Sequence, residues 1–162
     1  MFSIFSRKRN FPVINLSGIG TDMHSHLLPG IDDGSPDVVT SMQLLKGVQE
    51  LGLHSFITTP HILWDLYKNT DATIEPARLQ LQEALDADAN EARLSAAAEY
   101  MIDDYFSGLL QQKAPLRCLK GNYVLVEFSF INLPFDWKQV FFDMQIQGYQ
   151  PVLAPVSYTH LA

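Results

Sequence analysis

Short apolar runs alternate with segments of helical periodicity along most of this 162-residue chain. An apolar, β-branched run predicts a buried strand, and apolar residues at helical spacing predict a helix packed on a core. Strands that alternate with helices imply parallel strands joined by right-handed crossovers. The sequence therefore predicts one α/β unit, which is either an open sheet or an arc of a barrel.

About five strands are expected, with helices flanking them. We place the strands at 18–23, 53–60, 93–99, 122–130 and 150–154. Ser35 is expected to cap the first helix with Pro36 in its first turn, and Glu75-Pro76 is expected to start the second. Further helices are expected at 103–113 and 136–147.

Charge and cysteine content limit the partners and the compartment. A net charge of −7 argues against nucleic acid or an anionic membrane as partner. The single cysteine, Cys118, allows no internal disulfide and fits a reducing cytoplasm. We expect residues 1–17 to form a solvated arm that is not a secretory signal, and no segment reaches the length of a membrane span.

Residues that bind metals follow four successive predicted strands. In α/β folds, ligands bind beyond the carboxyl ends of the strands. The residues at those ends are His24 and His26, His61, Glu99, and Glu127. Asp33 lies in the loop after the first pair and can return to the same site.

Each of these residues alone has an ordinary structural explanation. A histidine at a strand end is usually a hydrogen-bonded polar residue, and Glu99 alone fits an exposed acid beside a helix. Glu127 is harder to explain, because a carboxylate within VLVEFSF is costly to bury without a cation or an arginine. The convergence of four strand ends predicts a metal site. Its nitrogen and oxygen donors suit Mn²⁺, Zn²⁺, Fe or Mg²⁺, and their number suggests more than one ion.

The segments DMHSHLLPGIDDG, TTPH, AAEYM and VLVEFSF resemble, in this order, the motifs of the PHP (polymerase and histidinol phosphatase) superfamily. The resemblance is strongest to its bacterial tyrosine-protein phosphatases of capsule and exopolysaccharide synthesis. It implies a distorted (β/α)7 barrel with a multinuclear, usually manganese-dependent centre. The implied reaction is hydrolysis of phosphotyrosine, typically on the tail of a bacterial tyrosine kinase. Histidinol-phosphatase-like activity, or metal binding without catalysis, are the alternatives.

The resemblance also implies roles for single residues. His24 and His26 would bind one metal ion, and Glu99 would bridge two. Glu127 would bridge or bind a neighbouring ion, while the remaining two ligands, Asp33 and His61, would bind a further one. Asp22 would only orient the neighbouring imidazoles, and Asp32 receives no role.

The resemblance stops after Ala154. Pro155 stands where a metal-binding histidine is expected, and His160 follows no predicted strand. We therefore divide the chain into an arm (1–17), an incomplete phosphatase domain (18–154) and an atypical tail (155–162). We expect an incomplete barrel to leave an apolar strand edge unpaired.

Overall fold

The computed structural model of the chain describes residues 14–129 and 133–155. Within these residues the helices are α1 (Val38–Glu50), α2 (Asp71–Ala87), α3 (Asp104–Gln111) and α4 (Trp137–Ile146). The strands are β1 (Thr21–Asp22), β2 (Ser55–Thr58), β3 (His61–Ile62), β4 (Arg93–Ala96), β5 (Glu99–Met101), β6 (Tyr123–Glu127) and β7 (Gln150–Leu153). All pairings between these strands are parallel, which confirms the predicted α/β class.

The strands form two sheets, with the orders β1-β2-β4 and β3-β5-β6-β7. Ser55 pairs with Arg93 in the first sheet and His61 with Glu99 in the second, so one register holds across both. Two hydrogen bonds span the break between the sheets. The N–H of Ala97 donates to the carbonyl of Thr58 (2.9 Å), and the N–H of Glu99 donates to the carbonyl of Pro60 (3.0 Å). The two extended segments therefore cross from one sheet to the other together.

This break corrects the predicted count of five strands, because two of the predicted strands are each divided in two. The interruption coincides with Pro60, which has no N–H to donate to a ladder. As a result, His61 begins β3 instead of following a strand, and Glu99 begins β5 instead of ending one. Both side chains lie where the two sheets meet.

Two helix starts also differ from the prediction. The N-cap of α1 is Asp37, whose carboxylate accepts the N–H of Thr40 at 2.7 Å. Ser35 is instead buried, and its hydroxyl accepts a hydrogen bond from the Ser41 hydroxyl at 2.8 Å. The second helix starts at Asp71, before the predicted Glu75-Pro76, because the hydroxyl of Thr73 accepts the N–H of Thr70 and closes the first turn.

The core lies between the sheets and the inner faces of the helices. On α2, Ile74, Ala77, Leu81 and Leu85 are buried at helical spacing. Strand β6 is buried on both faces, because Val124 and Val126 belong to the main apolar cluster and Leu125 to a smaller one. This explains the continuous apolar run before Glu127.

Some expectations concern residues outside the described ranges. These are the arm up to residue 13, Phe130 at the end of the fourth predicted strand, and His160 with the tail beyond Pro155. The described end of the arm contacts α1, since Leu16 donates its N–H to the carbonyl of Leu51 at 2.6 Å. Across 14–129 and 133–155, none of the helices has the length and apolar character needed to cross a membrane.

Candidate metal centre

Glu99 lies among three imidazoles, two from the segment after β1 and one from the start of β3. Its side chain is only 5% exposed. Its Oε1 is 3.6 Å from Nε2 of His24, and its Oε2 is 3.2 Å from Nε2 of His26 and 3.4 Å from Nδ1 of His61. A carboxylate with an imidazole nitrogen near each oxygen has the arrangement of a bridging metal ligand.

Glu127 and His61 leave polar atoms without partners in this cluster. Oε1 of Glu127 lies 2.7 Å from Nδ1 of His61. Both atoms are buried, and neither has a hydrogen bond of acceptable geometry within the described residues. Buried polar atoms without a well-aligned hydrogen bond are costly, and a cation near Oε1 of Glu127 would satisfy that carboxylate. The residues present therefore fit a metal ion.

Asp33 completes the set on the solvent side. Its Oδ1 is 3.5 Å from Nε2 of His61, and its side chain is 62% exposed. Three groups of donor atoms each lie within 4.8 Å of one another: His24–His26–Glu99, His26–Asp33–His61 and His61–Glu99–Glu127. A neutral imidazole coordinates through one nitrogen, so His26 and His61 each serve one of their two groups at a time. The structure thus brings all six sequence-predicted ligands together and has donors for more than one ion.

The loop after His26 folds back because glycine occupies two positions. Gly30 has a φ of +70° and donates its N–H to the carbonyl of Ser35 at 2.8 Å. A Cβ on Gly34 would lie 2.3 Å from both Cβ and O of His26. Only glycine permits this approach, which brings the carboxylates of the Asp-Asp pair to the imidazoles.

Asp32, to which the sequence analysis gave no role, orients the centre. It accepts hydrogen bonds from Nδ1 of His26 (2.8 Å) and from the backbone N–H groups of Gly34 (3.0 Å) and His61 (3.1 Å). The bond to Nδ1 leaves Nε2 of His26 to face Glu99. The carboxylate of Asp22 accepts the backbone N–H of His24 at 3.4 Å, and its expected role in orienting the imidazoles stays a prediction.

Two further residues of the centre were missed from sequence. Nδ1 of His24 is 2.6 Å from the hydroxyl of Thr59, which leaves Nε2 of this imidazole near Glu99. The ring of Tyr67 stacks on that of His61, with centroids 5.8 Å apart and an interplanar angle of 15°. The position of Thr59 in TTPH was a signal for its role, whereas nothing in the sequence indicated the stacking of Tyr67.

The negative charge of the cluster favours protons on two of its imidazoles when no cation is bound. Burial lowers the pKa of His26, but the carboxylates of Asp32 and Glu99 outweigh it and raise that pKa to about 10. Burial likewise opposes protonation of His61, and Glu127 and Glu99 raise its pKa. The same concentration of negative charge attracts a divalent cation, which would replace these protons.

Comparisons with known proteins agree with this geometry. Residues 20–162 match the family model described as capsular polysaccharide synthesis, CpsB/CapC. The tyrosine-protein phosphatase YwqE of Bacillus subtilis is 32% identical over 133 residues, which cover 82% of this chain and 52% of YwqE. The putative tyrosine-protein phosphatase CapC of Staphylococcus aureus is 28% identical over 136 residues, with the same coverage of 82% and 52%.

A solved structure extends the similarity to the fold. It comes from a crystallographic study of YwqE from Bacillus subtilis and CpsB from Streptococcus pneumoniae, described as unique metal-dependent tyrosine phosphatases. It superimposes with a TM-score of 0.73 at 31% identity and covers 82% of this chain and 54% of the other. The chain thus spans about half the length of the relatives that it matches.

Proposed function

The chain belongs to the family of capsular polysaccharide synthesis proteins CpsB/CapC, and on this premise we propose that it acts in metal-dependent hydrolysis of protein phosphotyrosine. The observation that carries the proposal is Glu99, which lies within 3.6 Å of nitrogens of three imidazoles from two separate segments. Relatives named as tyrosine-protein phosphatases and a solved metal-dependent phosphatase support the choice of reaction.

We assign the metal ligands as the motifs suggest. His24 and His26 would hold one ion together with Glu99, and Glu127 would hold a neighbouring ion that Glu99 also contacts. Asp33 and His61 would hold a further ion at the exposed side of the site. Bound divalent cations would supply activated water and neutralise the charge of phosphoryl oxygens.

The surrounding residues prepare the site for these cations. Asp32 accepts the hydrogen bond from Nδ1 of His26, and the hydroxyl of Thr59 contacts Nδ1 of His24, so Nε2 of each imidazole faces the site. Such outer-shell contacts fix the orientation of each imidazole before a metal arrives. Phosphotyrosine also asks little of a general acid, because its phenol leaving group has a pKa near 10.

Several finer features belong to the same proposal. Manganese is the metal we propose, which the nitrogen and oxygen donors fit. We propose that residues 18–154 belong to one domain with a distorted PHP-type barrel. The strand orders support this, because neighbouring strands follow the order of the chain in both sheets. The proposed substrate is a tyrosine-phosphorylated protein such as the tail of a bacterial tyrosine kinase, and the proposed location is the cytoplasm.

Turnover and metal content, measured on the same samples, test this function. We expect the Mn²⁺-loaded chain to hydrolyse a phosphotyrosine peptide faster than histidinol phosphate. Glu99→Gln should lower turnover by more than the roughly 10- to 100-fold that is typical when a residue next to a metal ligand is replaced. Glu83→Gln, at an exposed position of α2, is the matched control and should leave turnover unchanged.

Each alternative has its own outcome in this experiment. Preference for histidinol phosphate would replace phosphotyrosine as the substrate. Bound Mn²⁺ without turnover of either substrate would support metal binding without catalysis. Full activity in Glu99→Gln would refute the assignment of the site itself.

A further inference from the structure

A cleft of about 510 Å³ opens beside the metal centre. Buried residues Met101 and Ile102 line it, together with Leu63 from the segment after β3. Met101 pairs with Glu127 in the β5–β6 ladder, and Ile102 donates its N–H to the carbonyl of Glu127 at 3.0 Å. The cleft is therefore continuous with the end of β6 that carries Glu127.

The charge of this cleft is negative. Four aspartates line it: Asp65, Asp103, Asp104 and Asp136. Asp103 is engaged as the N-cap of α3, where it accepts the N–H of Phe106 at 2.8 Å, and the other three are exposed. No lysine or arginine lines the cleft in the described part of the chain. A ligand with negative charges would therefore be repelled, and one with positive charges attracted.

Exposed apolar side chains lie in the cleft lining and next to it in sequence. Leu66, which lines it, is 71% exposed. Leu133 is 55% exposed and Phe135 is fully exposed, and they flank in sequence Pro134, which also lines the cleft. Large apolar side chains around a concave surface are typical of sites that bind polypeptide.

We infer that this cleft binds the polypeptide segment next to the target phosphotyrosine, and that it favours lysine or arginine together with apolar residues in that segment. The inference rests on the proposed function, because the metal centre beside the cleft would receive the phosphotyrosine. The apolar side chains would contact the peptide, and the aspartates would select its charge. Acidic flanking residues would be disfavoured by the same charges.

Binding of unphosphorylated peptides tests the inference without requiring catalysis. Two peptides would share one central tyrosine and the same apolar residues, and differ in three flanking positions that are lysine in one and glutamate in the other. The two tryptophans of the chain, Trp64 and Trp137, are sequence neighbours of cleft residues, so their fluorescence should report binding. We expect the lysine peptide to bind the full Mn²⁺-loaded chain about tenfold more tightly at low salt, from several weak ion pairs.

Substitution of exposed cleft aspartates should reduce this preference. Asp65→Asn combined with Asp136→Asn should lower the affinity ratio to about threefold or less, because two of the three exposed charges are removed. Glu83→Gln removes an exposed charge outside the cleft lining and should leave the ratio unchanged. Equal affinity for the two peptides, no binding of either, or an unchanged ratio in the double variant would overturn the inference.

Phosphorylated versions of both peptides distinguish a failure of the cleft preference from a failure of the proposed function. If neither is hydrolysed but the affinity ratio persists, the proposed function fails and only peptide binding stands. If both are hydrolysed with equal kcat/KM and bind equally, the hydrolase stands and the cleft preference fails.

Discussion

Gly34→Ala is expected to damage the metal centre without replacing any proposed ligand. A Cβ at this position would lie 2.3 Å from Cβ and O of His26, whereas ordinary contacts begin at 3.4 Å. The loop and His26 must therefore separate by about 1 Å, which is more than the roughly 0.5 Å that a preorganised site tolerates. We expect at least a tenfold loss of Mn²⁺ affinity, and a free energy of unfolding lower by about 1–3 kcal/mol.

Gly47→Ala provides the matched control for this substitution. Gly47 lies within α1, and a Cβ there meets no atom within 4 Å. Alanine should stabilise the helix by roughly 0.5–1 kcal/mol and leave metal affinity unchanged. Affinity would be measured by competition with a chromogenic chelator, and stability by urea unfolding. Wild-type Mn²⁺ affinity in a folded Gly34→Ala protein would refute the proposed role of the close approach.

Three further predictions concern the orienting aspartate, the core and pH. Asp32→Asn should weaken Mn²⁺ binding about 10- to 100-fold in the same competition assay. Asp86→Asn, on the exposed face of α2, is the control and should not weaken it. Equal Mn²⁺ affinities of the two variants would contradict the orienting role of Asp32. Leu45→Ala should lower the free energy of unfolding by about 2–5 kcal/mol, because Leu45 is fully buried. Leu44→Ala, at the exposed neighbouring position, should lower it far less. Similar losses for both variants in urea unfolding would contradict the described packing. Because the pKa of His26 is raised to about 10, its protonation stabilises the metal-free chain fully below about pH 6.5, and this contribution is lost as pH rises through 10. A free energy of unfolding of the metal-free chain that stays constant from about pH 7 to 10.5 would argue against the protonation described for this cluster.

The α/β class and the gathering of the six candidate ligands followed from the sequence. Each ligand candidate comes after or within an apolar run, and parallel strands bring such positions to one edge. The resemblance to capsule-type tyrosine phosphatases is confirmed by the family match and by the relatives named above. The roles of the individual ligands stay a prediction.

The sequence did not reveal how the sheets divide or which residues orient the imidazoles. The break at Pro60 depends on how two extended segments pair, and neither segment shows this pairing by itself. Asp32 and Asp33 are adjacent acids in one loop, and only the folded loop shows that one accepts from His26 while the other faces His61. The start of α2 was misplaced because Pro76 gave a stronger local signal than the Thr70–Thr73 contact.

Anomalous diffraction at the manganese edge, on crystals of the full chain grown with Mn²⁺, tests the central claim most directly. The account predicts peaks at coordination distance, about 2.1 Å, from Nε2 of His24 and His26 and from an oxygen of Glu99. Further peaks are expected near Glu127 and between Asp33 and His61. Manganese bound only at surface carboxylates away from Glu99, or an empty cluster at saturating Mn²⁺, would contradict it.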